Sequence, residues 1–199
     1  MRGSPSNAAS GADASDDSLR VALAARAIRA GGVVAHPTEG VWGLACNPFD
    51  RDAVERVLDL KRRPWEKGLI VIGADAVAFA PELAPLASDL AERIVAEWPG
   101  HVTWLVPNVR FPRWITGRHA TIAIRVPGHP QALRLCAAVG TPIVSTSANP
   151  AGRNPARNAI AVRRYFGNRV DIVLDGALGD RTGPSEIRHA ATNTAVRSA

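Results

Sequence analysis

Short apolar runs recur along this chain between segments with helical periodicity, and they limit its fold more than any other feature. The runs cover residues 33–36, 69–72, 121–126 and 142–144. The second run has no polar residue, which is typical of a strand inside a sheet that is covered on both faces. A helix capped by Asp50 precedes this run, and Pro130 opens a helix after the third run. The alternation predicts an α/β fold.

The length of 199 residues and the apolar content of 46% predict one domain, which we expect to span residues 17–199. Residues 1–16 are mostly Ser, Ala, Gly, Asn and Asp with no apolar period, so a disordered tail is expected there. A helix over residues 18–30 is predicted to follow. Its apolar stripe is predicted to contain Leu19, Leu23, Ala27 and Ala30.

No run of 18 apolar residues and no signal-peptide pattern is found, so we expect a cytoplasmic protein without a membrane partner. The two cysteines, Cys46 and Cys136, are too few for a disulfide framework or a zinc site. No metal-ligating residues are therefore predicted.

A cationic stretch ends the helix that Asp50 begins. Lys61, Arg62, Arg63 and Lys67 lie within seven residues, and Glu66 is the only carboxylate among them. Pro64 biases Arg63 away from helical geometry, which fixes the angle at which the chain leaves the helix. Such a cluster suits a polyphosphate or a carboxylate. The alternative is that these cations only offset the negative end of the helix macrodipole.

A loop rich in hydroxyl groups follows the fourth apolar run. It contains Ser145, Thr146, Ser147 and Asn149, and Pro150 ends it. Neutral hydrogen-bonding groups at the end of a buried strand are typical of ligand sites in α/β proteins. A Ser/Thr turn that satisfies its own backbone is the alternative.

Two other strand ends carry candidate binding residues. Thr38 lies in a Pro-Thr-Glu-Gly turn between apolar runs, and Arg125 ends the third run near a sheet edge. The turn alone is equally consistent with an ordinary loop. No phosphate loop, dinucleotide fingerprint or nucleophile elbow is present, so a nucleotide would be held by side chains and scattered backbone amides.

The net charge of +6 also fits a binding module for structured RNA, acting in ribosome or tRNA maturation. This alternative rests on five arginines, some of which lie in a loop where basic and aromatic residues interleave. The set is Arg110, Arg113, Arg118, Arg163 and Arg164. It leaves the hydroxyl-rich loop without a role.

Several motifs in order resemble the YrdC-like threonylcarbamoyl-AMP synthases in their short bacterial form, over residues 19–188. The motifs are HPTEGVWG at 36–43, LKRRP at 60–64 with KGLI at 67–70, WPG at 98–100 with Thr103, AIRVP at 123–127 with HP at 129–130, STSAN at 145–149 and PSEIR at 184–188. The commoner family turn is Pro-Thr-Glu-Thr, and Gly40 replaces its last threonine here.

The resemblance implies a twisted mixed sheet flanked by helices, with a deep basic concave cleft. It implies that L-threonine, bicarbonate and ATP are converted into threonylcarbamoyl-AMP and pyrophosphate, for the N6-threonylcarbamoyladenosine modification of tRNA. ATP is then a substrate, and Mg²⁺ is expected to accompany it. The product would pass to a tRNA threonylcarbamoyl transferase complex, and a contact with tRNA or double-stranded RNA is left open. Related domains of hydrogenase-maturation proteins are a second enzymatic alternative.

The resemblance also assigns roles to individual residues. The family signature falls on four of them, which we expect to be catalytic: Lys61, Arg63, Ser147 and Asn149. These four and Thr121 are expected to bind ATP, with Lys61 and Arg63 on its phosphates. The residues expected to bind threonine are Thr38, Arg125, Ser145 and Ser185, with Arg125 pairing the carboxylate.

Overall fold

Two mixed β-sheets carry the fold in the computed structural model, which describes residues 9–198, with side chains from residue 16 onward. In chain order the strands are β1 Val34–Pro37, β2 Trp42–Ala45, β3 Ile70–Ile72, β4 Val102–Pro107, β5 Thr121–Arg125, β6 Ile143–Val144, β7 Thr146–Ser147, β8 Ile172–Val173, β9 Glu186–His189 and β10 Thr194–Arg197. One sheet has the order β7-β2-β1-β8 and the other β10-β9-β4-β5-β3-β6. The predicted α/β class with mixed pairing is confirmed, and the strands divide between two sheets.

Seven α-helices flank the sheets in the described part of the chain. They are α1 Ala9–Arg29, α2 Arg51–Lys61, α3 Ala80–Leu83, α4 Ser88–Ala96, α5 Arg113–Thr116, α6 Pro130–Val139 and α7 Ala159–Phe166. Among residues 9–198, no helix is both long enough and apolar enough to cross a lipid bilayer.

Helix α1 begins at Ala9, earlier than the predicted start near Ser18. Adding turns to a helix that is already docked costs little, because nucleation is the expensive step. Of the predicted disordered tail, residues 1–8 lie outside the described residues, and the structure describes the rest as helix. The predicted stripe is wrong, since Leu19 and Leu23 are exposed. Tertiary packing against α6 instead buries the stripe Val21, Ala24, Ala25 and Ile28.

Helix α2 has well-defined ends that explain where the cationic stretch lies. The Asp50 side chain accepts a hydrogen bond from the Ala53 N–H at 3.1 Å, as an N-cap should. At the other end Arg62 adopts a left-handed backbone, with φ of 49°, and its N–H donates to the Asp59 carbonyl. This C-cap turns the chain, so that Arg63 leaves the helix.

Ser145 marks the point where the chain passes from one sheet to the other. Strand β6 pairs with β3 in the six-stranded sheet, and β7 pairs with β2 in the four-stranded sheet. The Ser145 N–H donates to the Ile70 carbonyl at 2.9 Å. The hydroxyl-rich loop is therefore attached to both sheets.

The segment around Glu186 forms strand β9, although three of its four residues are polar. It pairs in parallel with β4 and in antiparallel with β10. The Arg188 guanidinium binds the carboxylates of Glu186 and Glu97, which supports this half-buried polar strand. The hairpin adds β9 beside β4 and leaves β10 at the edge of the six-stranded sheet.

Candidate active site

A cavity of about 260 Å³ is lined by residues from both sheets. Seven of the nine predicted site residues line it, namely Thr38, Arg63, Thr121, Arg125, Ser145, Ser147 and Ser185. Lys61 and Asn149 do not line it, and they lie directly behind Ser147. The cationic stretch and the hydroxyl-rich loop thus meet at one place, as the sequence predicts.

Lys61 is buried and holds the hydroxyl-rich loop. Its Nζ donates to the Ser147 carbonyl, lies 3.1 Å from the Asn149 carbonyl oxygen, and is 3.4 Å from Ser147 Oγ. Burial, and then the charge of Arg63, lower the pKa of Lys61 to about 7. The sequence predicts a direct phosphate contact for this ammonium group, whereas here its hydrogen bonds go to the loop.

Asn149 has a similar supporting position. Its Nδ2 donates to the Arg153 carbonyl at 2.7 Å and to the Pro150 carbonyl at 3.2 Å. Its Oδ1 lies 3.5 Å from Lys61 Nζ. These hydrogen bonds of the amide tighten the turn after Ser147. The rigid loop in turn keeps the Ser147 hydroxyl in place beside the cavity.

Arg63 folds back over the turn that follows it and lines the cavity. Its Nη2 and Nε donate to the Gly68 carbonyl at 2.9 and 3.2 Å. Gly68 has φ of 62°, and a Cβ there would lie 3.0 Å from the Thr116 carbonyl oxygen. A glycine is needed at this position because the chain is left-handed and closely packed. Burial lowers the pKa of the Arg63 guanidinium.

Arg125 forms a buried ion pair that the sequence analysis missed. Its Nη1 lies 3.1 Å from Glu39 Oε1, and the Gly128 N–H donates to the same oxygen at 2.7 Å. Burial raises the pKa of Glu39, but Arg125 and the backbone N–H groups outweigh burial, so the net pKa is lowered. Arg125 is predicted to pair with the carboxylate of threonine. It would have to do so while its Nη1 remains paired with the Glu39 carboxylate.

The predicted threonine-binding hydroxyls already have partners within the protein. Thr38 Oγ1 donates to the Val41 carbonyl at 2.6 Å. Ser185 Oγ lies 2.8 Å from Thr103 Oγ1, and Ser145 Oγ lies 3.2 Å from His36 Nε2. These contacts fix each side chain, and they also limit which ligand atoms each hydroxyl can bind.

Arg197 of β10 lines the cavity and is another residue that the sequence analysis missed. Its Nη2 and Nε donate to the Ser185 carbonyl at 2.7 and 3.2 Å. Burial, followed by the charges of Arg125 and Arg63, lowers the pKa of Arg197. Three guanidinium groups thus repel one another around one cavity, as expected for a site that receives an anion. A single arginine near the chain end gives no signal before the hairpin is known.

The turn at Gly40 is covered by the segment that follows β8. A Cβ on Gly40 would lie 2.1 Å from the Gly183 carbonyl oxygen and 3.2 Å from that of Arg181. The Arg181 N–H donates to the Glu39 carbonyl at 3.2 Å. The segment therefore packs where a larger residue 40 would place its side chain.

The cavity offers cations and hydroxyls but no carboxylates. Among the described residues that line it, none is Asp or Glu, while Lys67 and His119 lie at its edge with the arginines. Within the described chain, no group of three or more His, Cys, Asp or Glu could hold a metal ion. The arrangement can bind a polyanion and orient a small polar molecule next to it.

Fold and site together define an α/β protein with a cavity lined by arginines and hydroxyl groups where two mixed sheets meet. The family model for Sua5, YciO and YrdC proteins, described as "Telomere recombination", matches residues 26–198. The chain belongs to this Sua5/YciO/YrdC family.

Individual relatives agree with this membership. The threonylcarbamoyl-AMP synthase of Cellvibrio japonicus is 54% identical over 179 residues, which are 89% of this chain and 95% of the relative. The structure of P. abyssi Sua5 complexed with L-threonine has a TM-score of 0.81 and 31% identity, covering 86% of this chain. The match spans about half, 51%, of that Sua5 chain. E. coli YciO has a TM-score of 0.74 and 26% identity, with 86% of this chain and 84% of YciO covered.

Proposed function

We propose that this chain is an L-threonylcarbamoyladenylate synthase, which makes threonylcarbamoyl-AMP and pyrophosphate from L-threonine, bicarbonate and ATP. The observation that carries the proposal is the convergence of Arg63, Arg125 and Arg197 on one cavity that also presents hydroxyl groups. A triphosphate would supply the negative charge that these cations lack among the lining residues. The names of the curated relatives support the same activity.

Within this proposal, ATP lies against the cationic side of the cavity. Arg63 and Arg197 bind phosphate oxygens, since a guanidinium fork matches them bidentately. Thr121 and Ser147 contribute hydroxyl groups to the nucleotide. Lys61 and Asn149 act from behind, because their hydrogen bonds hold the Ser147 loop and the ammonium charge adds to the local potential.

Threonine lies next to the nucleotide in the same proposal. Thr38, Ser145 and Ser185 surround it, and Arg125 binds its carboxylate with the guanidinium atoms that Glu39 leaves unused. Arg125 Nε is buried and has no hydrogen-bond partner among the described residues. A buried donor without a partner costs free energy, so this atom is suited to receive a ligand oxygen.

The chemistry needs positioning more than a nucleophilic side chain. The threonine amine takes up CO2 derived from bicarbonate to give a carbamate. A carbamate oxygen then attacks the α-phosphorus of ATP, and pyrophosphate leaves with the bonding electron pair. Catalysis by charge stabilisation at the phosphoryl groups suits a site made of arginines, a buried lysine and hydroxyls.

Mg²⁺ would arrive with ATP. The cavity lining has no carboxylate, so the hydroxyls that face it and the phosphates themselves are the donors that fit this ion. The ion would neutralise phosphate charge, while the protein groups named above would still orient the substrates.

The alternative of a module for structured RNA is weakened by the positions of its arginines. Arg110 binds the buried Glu82 carboxylate at 3.0 Å, and Arg118 lies 3.6 Å from Glu66. Two of the five arginines are therefore paired within the protein. The proposed function also includes a contact with tRNA and delivery of the product to a tRNA threonylcarbamoyl transferase complex. Because the product is used to modify tRNA, we propose that the protein acts in the cytoplasm.

The proposal is tested by measuring pyrophosphate release while omitting threonine, bicarbonate or ATP in turn. Release that requires all three substrates is expected, together with threonylcarbamoyl-AMP detected by mass spectrometry. Arg197→Met should lower kcat/KM for ATP by about 10- to 100-fold, because a hydrogen bond between a charged guanidinium and a phosphate oxygen is lost. The exposed Arg163→Met is the matched control and should behave as the parent. Pyrophosphate release without threonine would contradict the proposal.

A further inference from the structure

His36 lies on β1 immediately behind the cavity wall and has no exposed surface. Its Nε2 is 3.2 Å from Ser145 Oγ, and its Nδ1 is 3.1 Å from the Pro37 carbonyl oxygen. A carbonyl oxygen can only accept, so Nδ1 must carry the ring proton. Nε2 is then an acceptor, and the Ser145 hydroxyl must donate to it.

This donation decides what Ser145 can offer to a ligand. A serine hydroxyl has one proton and two lone pairs. With the proton directed at His36, only lone pairs remain for the cavity that Ser145 lines. Ser145 can therefore accept a hydrogen bond from an N–H group, and it cannot donate to a carboxylate or phosphate oxygen.

We infer that His36 is a positioning residue, which fixes Ser145 Oγ as the hydrogen-bond acceptor for the amino nitrogen of the amino-acid substrate. This inference rests on the proposed function and deepens it, since it assigns the amino group to one atom. The amino nitrogen becomes the nitrogen atom of the carbamate when it bonds to the carbon of CO2. Once the ammonium group has lost a proton to water, an N–H held by this acceptor leaves the nitrogen lone pair directed toward the incoming carbon.

The facing strand leaves room for this hydrogen bond. Gly43 on β2 is the cross-strand partner of His36. A Cβ on Gly43 would lie 3.0 Å from His36 Nε2 and 3.0 Å from Ser145 Oγ. A side chain at this position would press on both atoms of the bond, so the glycine keeps it open.

A proton relay from the amine through Ser145 to His36 is the competing role. Burial is the main cause that lowers the pKa of His36 to about 4; His129 and Arg125 lower it as well, while the Pro37 carbonyl and Glu39 raise it. An imidazole with this pKa is a poor base near neutral pH. His36 therefore orients the hydroxyl without taking up its proton.

The test compares the binding of threonine with that of 3-hydroxybutyrate, which lacks the amino group, by titration calorimetry. His36→Phe should weaken threonine binding by about 10- to 100-fold, the effect of losing a hydrogen bond to a charged group. The affinity for 3-hydroxybutyrate should stay unchanged, because that ligand makes no such bond. His36→Gln retains an acceptor near the position of Nε2 and should restore most of the threonine affinity.

His36 and Ser145 should contribute to threonine binding through the same hydrogen bond, so their losses of affinity should not add. Ser145→Ala should lose the same factor, and the double variant should lose no more than either single one. Equal weakening of threonine and 3-hydroxybutyrate in His36→Phe would overturn the inference, because it would mean general damage to the cavity. A Ser145→Ala variant that binds threonine as the parent does would overturn it as well, even if His36→Phe does not fold. Parental protein that binds no threonine would overturn the proposed function together with the inference.

Discussion

At the scale of single residues, Lys61 shows how burial can place a titratable charge beside a ligand site. Its ammonium group is removed from water and faces the carbonyl oxygens of Ser147 and Asn149. Burial and the neighbouring Arg63 bring its pKa to about 7, so its charge changes near neutral pH. A phosphate ligand would favour the protonated form.

We expect the affinity for ATP to fall as the pH rises through about 7, since Lys61 is protonated below this pH and neutral above it. Lys61→Met should bind ATP more weakly at pH 6 and lose this contribution to the pH dependence. Titration calorimetry from pH 6 to pH 8.5 measures both. Lys67→Met, which removes an exposed cation at the cavity edge, is the control that should keep the dependence. An unchanged pH profile in Lys61→Met would refute the assignment.

At the scale of elements, helix α2 couples local capping to the site. Its first turn is fixed by Asp50, its last turn carries Lys61, and Arg63 follows directly after the C-cap Arg62. The apolar face between these ends is buried in the main core, including Val54 and Val57. A change at the start of the helix therefore acts on stability and reaches the site only through the helix as a whole.

Asp50→Ala should lower the free energy of unfolding by about 1 kcal/mol, because the Ala53 N–H loses its acceptor. Urea denaturation followed by circular dichroism provides the measurement. Asp52→Ala, an exposed carboxylate in the same helical turn, should change stability by only a few tenths of this. Equal losses in the two variants would show that charge near the helix start, rather than the cap, accounts for the effect.

Elements with a local signal were predictable from the sequence. The apolar run at 69–72 and the Asp50 cap identified β3 and α2, because burial and capping depend on residues close together in the chain. Strand β9 gave no such signal: its Glu-Ile-Arg-His sequence becomes a strand through parallel pairing with β4, more than 80 residues away. Pairing between distant segments overrides local preference in such cases.

The candidate site divides in the same way. The cationic stretch and the hydroxyl-rich loop were found because each concentrates one kind of chemistry within a few residues. Glu39 and Arg197 were missed, since the importance of each lies in a distant partner, Arg125 for the first and Ser185 for the second. The supporting positions of Lys61 and Asn149 also depend on the folded loop.

At the scale of the whole molecule, the Arg125–Glu39 pair links the two sheets. Arg125 ends β5 of the six-stranded sheet, and Glu39 lies in the turn between β1 and β2 of the four-stranded sheet. Both side chains are buried, so losing one partner leaves a charge without compensation. The contact therefore bears on how the two halves of the cavity are held together.

Glu39→Gln should reduce the free energy of unfolding by about 3–5 kcal/mol at pH 7, because Arg125 stays buried without its carboxylate. Since the pKa of Glu39 is lowered from its ordinary value of 4.5, its stabilisation is complete above pH 4.5 and is lost as the pH falls through the folded-state pKa. The difference between parent and variant should therefore shrink in strong acid. Urea denaturation at a series of pH values measures this difference.

The exposed pair Arg51–Glu55 provides the control for this variant. Glu55→Gln should change stability by less than about 1 kcal/mol, as surface ion pairs usually do. Adding Arg125→Met to Glu39→Gln should recover part of the loss, because the unpaired charge is removed. A Glu39→Gln protein as stable as the parent would contradict the role assigned to this pair.

The contact between Gly40 and the Gly183 carbonyl has a consequence for sequence change within the family. With no room for a Cβ at residue 40, a threonine there and the present course of residues 181–183 exclude each other. Chains that keep Pro-Thr-Glu-Thr must route this segment differently. Residue 40 and residues 181–183 should therefore covary across relatives. Gly40→Thr alone should destabilise the folded protein, whereas replacing residue 40 and residues 181–183 together with those of such a relative should be tolerated.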